Sequence, residues 1–116
     1  MEATAKKYEV AEINELESVA CPCGWSRRAF AVPGSPASVH LVEIQKDAKT
    51  HYHKGMTEIY VVLEGEGHLE LDGELVPVQP MTAVMIRPGC RHRAIGEFKI
   101  LNIVIPAFDA SDEWMD

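Results

Sequence analysis

The chain contains 116 residues, 47% of them hydrophobic and 25% charged, and carries a formal net charge of −7. This length gives room for one globular domain, and the composition excludes a disordered or fibrous chain. The negative charge argues against nucleic-acid binding, because phosphate backbones repel an acidic surface. No apolar run approaches the roughly 20 residues that span a bilayer, and the N-terminal residues lack the apolar core of a signal peptide. We therefore expect no membrane association and a cytoplasmic location.

Residues 1–24 are predicted to form an N-terminal extension, because they lack the short apolar runs that follow them. Asn14 is a favourable residue for capping a helix, so we predict a short helix over Glu15–Val19. The extension ends in the turn-like sequence Cys21-Pro22-Cys23-Gly24.

The three cysteines of the chain do not suggest a disulfide framework, because their number is odd. Cys21 and Cys23 lie too close in sequence for a comfortable disulfide, so we expect reduced thiols. Their sulfur atoms are soft metal ligands, but a thiolate zinc site normally takes two further Cys or His residues. The sequence leaves the role of this pair open.

From Trp25 onward, short runs rich in Val, Ile and Leu alternate with Gly, Pro, Asp and Asn residues. This rhythm is typical of an all-β sandwich or barrel. Residues 25–108 would form the barrel, and Asp109–Asp116 would be an acidic tail on its surface. We predict strands at residues 26–32, 38–45, 49–53, 58–63, 67–72, 74–78, 83–87, 92–95 and 98–105, with a tight hairpin at Asp72-Gly73.

Two of the predicted strands are nearly apolar on both faces, in the runs Ile59–Leu63 and Ile100–Ile105. Such strands need cover on both sides, whereas Glu66–Asp72 alternates polar and apolar residues and so has one wet face. A second copy of the chain would supply the cover, so we predict a homodimer. A second sheet or the N-terminal extension would serve the same purpose.

Four residues with metal-binding side chains occur at spacings that would bring them together in a barrel. His51 and His53 are two residues apart, so an extended segment points both imidazoles to one face. Glu58 follows across a short connection and joins them from the next strand. His92 starts a later strand, where a ligand from across the barrel would be placed. Three imidazoles and one carboxylate favour one divalent transition metal, namely Mn, Fe, Co, Ni, Cu or Zn, over Ca or Mg.

The spacing His51-x-His53-x4-Glu58-x6-Gly65 resembles the first motif of the cupin superfamily, and Pro88-Gly89-x-x-His92 resembles the core of the second. The resemblance spans residues 38–105 and is similar to that of the small single-domain microbial cupins. It implies a double-stranded β-helix, a jelly-roll barrel in which the three histidines and the glutamate bind metal. All four ligand positions of the family are filled, which favours a functional metal.

The chain departs from the family pattern at turn positions rather than at ligands. Gln45 and Met81 stand where cupins usually open each motif with Gly. In the second motif Arg87 holds the usual Pro position, Pro88 falls one place later, and Gly96 replaces the closing Asn. These departures concern loop geometry more than metal ligation.

Two further residues are candidates for a role in the cavity of such a barrel. Tyr60 lies on the Glu58 face of its strand and is the first candidate for catalytic proton transfer, although a tyrosine packed in a barrel is equally common. Of Arg27 and Arg28, one should point inward, and Arg28 is our candidate for binding a substrate carboxylate or phosphate. A salt bridge at the rim or at a dimer interface is the plainer interpretation of these arginines.

Cys90 and Asn102 are also candidates for substrate binding. Cys90 shares the His92 face, although a free cysteine is often simply a small buried hydrophobe. Asn102 interrupts an apolar strand, so it needs a buried partner or a pocket. We expect His40 and His68 not to bind metal, since His68 lies on a polar face and His40 suits an exposed or core position.

The favoured function is that of a metal-dependent enzyme acting on a small organic molecule, as a dioxygenase, isomerase or decarboxylase. The alternative is a non-enzymatic cupin that binds or senses a small molecule and carries a structural metal, because the fold alone does not name a reaction. A third interpretation is a structural dimer whose metal only ties strands together.

Overall fold

The computed structural model describes residues 6–45 and 47–116 of the chain. This part is mostly β-structure, as the sequence predicts. None of its helical segments is long and apolar enough to cross a membrane. Two single 3-10 turns lie at Ile13–Glu15 and Ala110–Asp112. The strands are β1 (Val19–Cys21), β2 (Gly24–Ala29), β3 (Ser38–Ile44), β4 (Thr57–Leu71), β5 (Glu74–Val78), β6 (Ala83–Ile86) and β7 (His92–Ile105).

The strands pair antiparallel in the order β1-β2-β3-β7-β4-β5, and β6 pairs with β4. The two longest strands, β4 with 15 residues and β7 with 14, pair along their whole length. A bulge between Val62 and Glu64 lets β4 bend. Val62 and Leu69, from the two halves of β4, therefore meet in one buried core with side chains of β3, β5 and β7. The sheet thus rolls into the jelly-roll barrel of a double-stranded β-helix.

Two pairs of predicted strands are single continuous strands in the structure. Residues 58–63 and 67–71 belong to β4, which ends one residue before the predicted strand does, and residues 92–95 and 98–105 belong to β7. The predicted breaks fell at Gly65 and Gly96, but both glycines remain in the ladder between these strands. Gly65 has a φ of 84°, and a Cβ there would come within 3.0 Å of the β7 backbone. Glycine is needed at this position for the bend and the close approach of two strands rather than for a turn.

The predicted helix over Glu15–Val19 is wrong. The chain forms a single 3-10 turn at Ile13–Glu15 and then enters β1, which pairs with β2. The guanidinium of Arg27 on β2 donates hydrogen bonds to the carbonyl oxygens of Asn14 and Leu16. A longer helix would have needed these carbonyls for its own backbone hydrogen bonds. Contact with the barrel therefore overrides the local capping signal.

The predicted strand at residues 49–53 is also not a strand of the sheet. It is an extended segment held by two isolated bridges, from His51 to His92 on one side and from Tyr52 to Trp114 on the other. Its neighbours are the start of β7 and the C-terminal tail. The extended conformation that the sequence predicts is present, but its pairing partners come from distant parts of the chain.

Candidate metal centre

The barrel brings three histidines together at one point in its interior: His51, His53 and His92. One ring nitrogen of each lies within 4.8 Å of the other two. Backbone hydrogen bonds of 3.1 and 2.9 Å between His51 and His92 hold these residues side by side, with ring centroids 4.4 Å apart. His53 is two residues beyond His51 in the same extended segment, so its ring points to the same side. This is the convergence that the sequence predicts.

All three imidazoles are oriented by backbone carbonyl groups. A carbonyl oxygen only accepts hydrogen bonds, so each Nδ1 that contacts one carries the proton and donates it. In the neutral ring each Nε2 is then left with a free lone pair, which is the usual state of a metal-binding histidine. The Nδ1–O distances are 3.0 Å from His51 to Lys49, 2.6 Å from His53 to Asp112, and 2.9 Å from His92 to Cys90.

Glu58 brings a carboxylate to the same point from β4. Its Oε1 lies 3.2 Å from Nε2 of His53 and 3.1 Å from Nε2 of His92. Its Oε2 accepts a hydrogen bond of 2.7 Å from Nδ2 of Asn102 on β7. Glu58 is only 4% exposed. Asn102 is therefore the residue that holds this carboxylate in place, and Glu58 is the buried partner that the sequence says Asn102 needs.

The contact between Glu58 and the two nearest histidines calls for a cation. The free Nε2 of a neutral imidazole and the oxygen of an ionised carboxylate are both acceptors, so they repel each other at 3.1 and 3.2 Å. Among the described residues, Nε2 of His53 is buried without a hydrogen-bond partner. Ligand atoms that share a metal at about 2.1 Å lie about 3 Å from one another. The nitrogen and oxygen donors of this centre therefore fit a divalent transition metal.

The pKa shifts of the cluster agree with this geometry. Burial opposes ionisation of Glu58, but its close contacts with His53, His92 and Asn102 outweigh burial and lower the pKa of this carboxyl far below its usual range. Burial would lower the pKa of His53, yet the Glu58 carboxylate raises it. Burial and the neighbouring charge of His92 lower the pKa of His51. At neutral pH the centre therefore combines an anionic carboxylate with a neutral His51, both in the state that binds metal.

The C-terminal tail completes the centre, which the sequence did not predict. The carbonyl oxygen of Asp112 accepts the hydrogen bond from His53. The Asp112 carboxylate accepts hydrogen bonds of 2.9, 2.8 and 3.1 Å from the backbone N–H groups of residues 54–56. Next to it, Trp114 and Tyr52 exchange two backbone hydrogen bonds of 2.9 Å. The tail is therefore an anchor for the histidine segment as well as an exposed surface element.

A cavity of about 380 Å³ opens from the centre. Tyr60 lies in its wall, with its ring centroid 6.3 Å from that of His92. Burial and the charge of Glu58 raise the pKa of Tyr60 well above its usual value, so its hydroxyl keeps the proton at neutral pH. Of the candidate site residues from the sequence, the cavity wall contains His51, His53, Glu58, Tyr60, Arg28 and Asn102.

Arg28 reaches this cavity from β2, on the strand face that carries Ser26. Its Nε donates a hydrogen bond of 3.2 Å to Oγ of Ser26, and its guanidinium carbon lies 4.9 Å from the ring centroid of Phe108. Within the described chain, the two terminal nitrogens of this guanidinium make no hydrogen bond to protein. They remain available to a ligand. The neighbouring Arg27 instead binds the N-terminal turn.

Cys90, a candidate from the sequence, has its side chain elsewhere, and His40, which we expect not to bind metal, lies outside the histidine cluster. The Sγ of Cys90 lies 3.8 Å from the carbonyl oxygen of Arg91, and among the described residues the cavity wall does not include it. The backbone of Cys90 contributes instead, through the carbonyl that orients His92. His40 is buried, its Nε2 lies 2.7 Å from Oγ of Ser38, and burial lowers its pKa to about 4.

Solved structures with the same fold include several enzymes. A protein from Planctomyces limnophilus is 45% identical, with a TM-score of 0.86 over 93% of this chain and 96% of that one. The Streptomyces nucleoside dehydratase Pac13, also solved with uridine, is 22% identical, with a TM-score of 0.79 over 94% of this chain and 90% of its own. Ectoine synthase from P. lautus is 19% identical, with a TM-score of 0.73 over 90% and 82% of the two chains. No curated protein matches this chain significantly.

A family model for the cupin domain matches residues 39–104. The match begins in β3, ends in β7 and spans the histidine segment, Glu58 and His92. It covers more than half of the chain, and the barrel described above has the strand arrangement that the cupin resemblance implies. On these grounds the chain belongs to the cupin family.

Proposed function

We propose that this cupin is a metal-dependent enzyme that acts on a small organic molecule. The observation that carries the proposal is the contact of free imidazole lone pairs with the Glu58 carboxylate, which calls for a cation between them. Such an ion supplies Lewis-acid or redox chemistry to a substrate that reaches it. The ligands of the ion would be His51, His53, Glu58 and His92.

The other residues of the cavity would bind the substrate and move a proton. Tyr60 lies in the wall beside the cluster, so its hydroxyl is placed to give a proton or a hydrogen bond to a bound molecule. Among the described residues, Oδ1 of Asn102 is buried without a partner and suits a hydroxyl or amine donor. Arg28 offers two nitrogens to a carboxylate or phosphate. These groups favour a small anion that also carries a hydroxyl or an amine.

Two solved neighbours support the choice of catalysis over simple binding. Pac13 is described as a nucleoside dehydratase, and the other neighbour as an ectoine synthase. Their identities to this chain are 22% and 19%, so they support small-molecule chemistry in a barrel of this size and not any particular substrate.

We also propose that two copies of the chain pair through the outer face of β4, β6 and β7. Leu63, Met85 and Ile105 on this face are 36%, 52% and 44% exposed. Ile59 pairs with Met85 on one side and with Ile103 on the other, so the apolar strip is continuous across three strands. An exposed apolar strip of this kind favours association, and a twofold contact covers the strip of one copy with that of the other.

The test of the metal centre is elemental analysis of the purified protein. We expect about one transition-metal ion per chain, and a ratio at least about tenfold lower in a His51→Ala/His92→Ala double variant. His68→Ala is the matched control, because this histidine is exposed on β4 and should leave the ratio unchanged. No metal in the unaltered protein, even after incubation with Mn, Fe, Ni and Zn salts, would contradict the proposal.

Turnover separates an enzyme from a sensor. Metal-loaded protein would be incubated with small hydroxy acids, amino acids and sugar phosphates, and product formation followed by mass spectrometry. For an anionic substrate, Arg28→Gln should raise KM by about 10–100-fold, since a charge-assisted pair is lost. Binding of these compounds without any turnover would favour the sensing function instead.

A further inference from the structure

Cys21 and Cys23 form a pair of thiols in the wall of the metal cavity. Cys21 ends β1 and pairs with Gly24 at the start of β2, so Pro22 and Cys23 are the two residues of a tight connection. This hairpin brings the two Sγ atoms to 2.8 Å from each other. Both side chains are partly buried and pack against the hydrophobic core. The pair is therefore held close by the fold and faces the same space as the candidate metal centre.

Two thiols at this distance share a proton. With Cys23 as the donor, its S–H group lowers the pKa of Cys21 to about 6. The same contact, together with burial, raises the pKa of Cys23. Backbone N–H groups of the turn and the charge of Arg28 also favour a negative sulfur on Cys21. Cys21 is then mostly the reactive thiolate at neutral pH, while Cys23 keeps its proton.

We propose that Cys21 and Cys23 are a redox-active dithiol that reduces small disulfides entering the cavity. The Cys21 sulfur attacks one sulfur of a low-molecular-weight disulfide, forming a mixed disulfide and releasing one thiolate. Cys23 gives its proton to that thiolate and attacks the Cys21 sulfur, which breaks the mixed disulfide and releases the second thiolate, protonated from water. Two electrons pass from the pair to the small disulfide. The products are a Cys21–Cys23 disulfide and two free thiols.

The hairpin suits this exchange, because it places the two sulfur atoms in contact despite the short sequence separation that disfavours a disulfide. The two sulfur atoms need to close from 2.8 Å to about 2.05 Å to form the bond. Pro22, between them, is exposed and lies in the cavity wall, so a small disulfide reaches the pair from solvent. The inference does not depend on the metal centre, because neither sulfur belongs to the histidine cluster.

Cys90 provides an internal comparison. Burial and the nearby Asp72 raise its pKa, and its Sγ lies 3.8 Å from the carbonyl oxygen of Arg91. Variants built on a Cys90→Ser background therefore leave only the proposed pair. In this background we expect oxidised glutathione at pH 7 to convert the reduced protein to a form lighter by two hydrogen atoms, with two glutathiones released per chain.

Single replacements in the same background separate the two roles. Cys23→Ser should stop at a stable mixed disulfide with glutathione on Cys21, because the second thiol is missing. Cys21→Ser should react with oxidised glutathione at least about fivefold more slowly, because it lacks the thiolate of Cys21. The effect is not larger, because a thiolate of low pKa is more abundant but intrinsically less nucleophilic. Circular dichroism of each variant verifies that the barrel is folded.

Three outcomes would overturn the inference. The pair is not a dithiol reductant if the Cys90→Ser protein stays reduced in oxidised glutathione. The pair is also not a dithiol reductant if that protein accumulates the mixed disulfide with glutathione, because Cys23 then does not attack the Cys21 sulfur. Finally, if the His51→Ala/His92→Ala variant retains one Zn ion per chain and loses it on Cys21→Ser replacement, the pair is a soft metal site instead.

Discussion

Replacing Asp112 with alanine tests whether the C-terminal tail holds the metal centre in place. Its carboxylate accepts four hydrogen bonds, from the backbone of residues 54–56 and from Nε1 of Trp114. Hydrogen bonds to a charged group are worth about 1.5–3 kcal/mol each, but Asp112 is only partly buried and water screens part of this. At about 0.5–1 kcal/mol each, we expect the unfolding free energy of the metal-free protein to fall by about 2–4 kcal/mol.

The same replacement should weaken metal binding. The backbone carbonyl of Asp112 holds Nδ1 of His53 at 2.6 Å, and it is positioned by the carboxylate contacts that the alanine removes. Loss of a group that orients a metal ligand typically costs about 10–100-fold in affinity. Because the carbonyl itself remains in the variant, we expect the loss of metal affinity to be at the lower end of this range, about tenfold.

Unfolding in guanidinium chloride followed by circular dichroism measures the first effect, since Trp114 itself would move and distort a fluorescence signal. Competition with a chromophoric chelator measures the second. Asp116→Ala is the matched control, because this residue of the same tail binds Arg91 on the surface, and surface ion pairs contribute little. Asp112→Asn keeps one acceptor oxygen, so its unfolding free energy and its metal affinity should lie between those of Asp112→Ala and Asp116→Ala. Equal stability and equal metal affinity in Asp112→Ala and Asp116→Ala would refute the anchoring role.

Three further predictions concern stability and assembly. Met81 has a φ of 73° and is 79% exposed, so Met81→Gly should raise the unfolding free energy by about 0.5–1 kcal/mol in a denaturant titration, and a lower value would contradict this. Burial lowers the pKa of His40 to about 4; between pH 7 and 4.5 the unfolded chain therefore takes up a proton that the folded one excludes. Stability is lost as the pH falls, and His40→Gln should reduce this loss by about 2 kcal/mol, with His68→Gln as the unchanged control. Ile103→Glu should convert a dimer to a monomer in sedimentation experiments, whereas Leu75→Glu, an exposed apolar residue on β5, should not; two variants with the same mass would exclude the proposed interface.

Met81 keeps the backbone conformation of the family pattern although its residue type departs from it. The family usually has Gly at this turn position, and the structure keeps the left-handed conformation that suits Gly, with the N–H of Met81 bonded to the carbonyl of Val62 at 2.7 Å. Gln45, at the other such position, does not have a positive φ; its N–H donates to the carbonyl of Cys23 at 2.8 Å.

The sequence by itself determined the all-β class and the approach of His51, His53 and Glu58, whereas the placement of His92 rested on the expected barrel and on its resemblance to the second cupin motif. These follow from local rules: side chains two residues apart share a face of an extended segment, and short connections return the chain beside itself. The requirement of Asn102 for a buried partner follows from the same local pattern. Such inferences hold because they depend on residues that are near one another in the chain.

Only the tertiary structure decided the features that depend on distant residues. His53 and the carbonyl that orients it are 59 positions apart, and no spacing in the sequence predicts that contact. The lost helix at Glu15–Val19 and the joined halves of β4 and β7 have the same origin, because pairing across the barrel outweighs local capping and glycine signals. The approach of Cys21 and Cys23 depends on how β1 pairs with β2, which their short separation alone did not reveal. Local periodicity selects which side chains face inward, whereas closure of the barrel selects which of them meet.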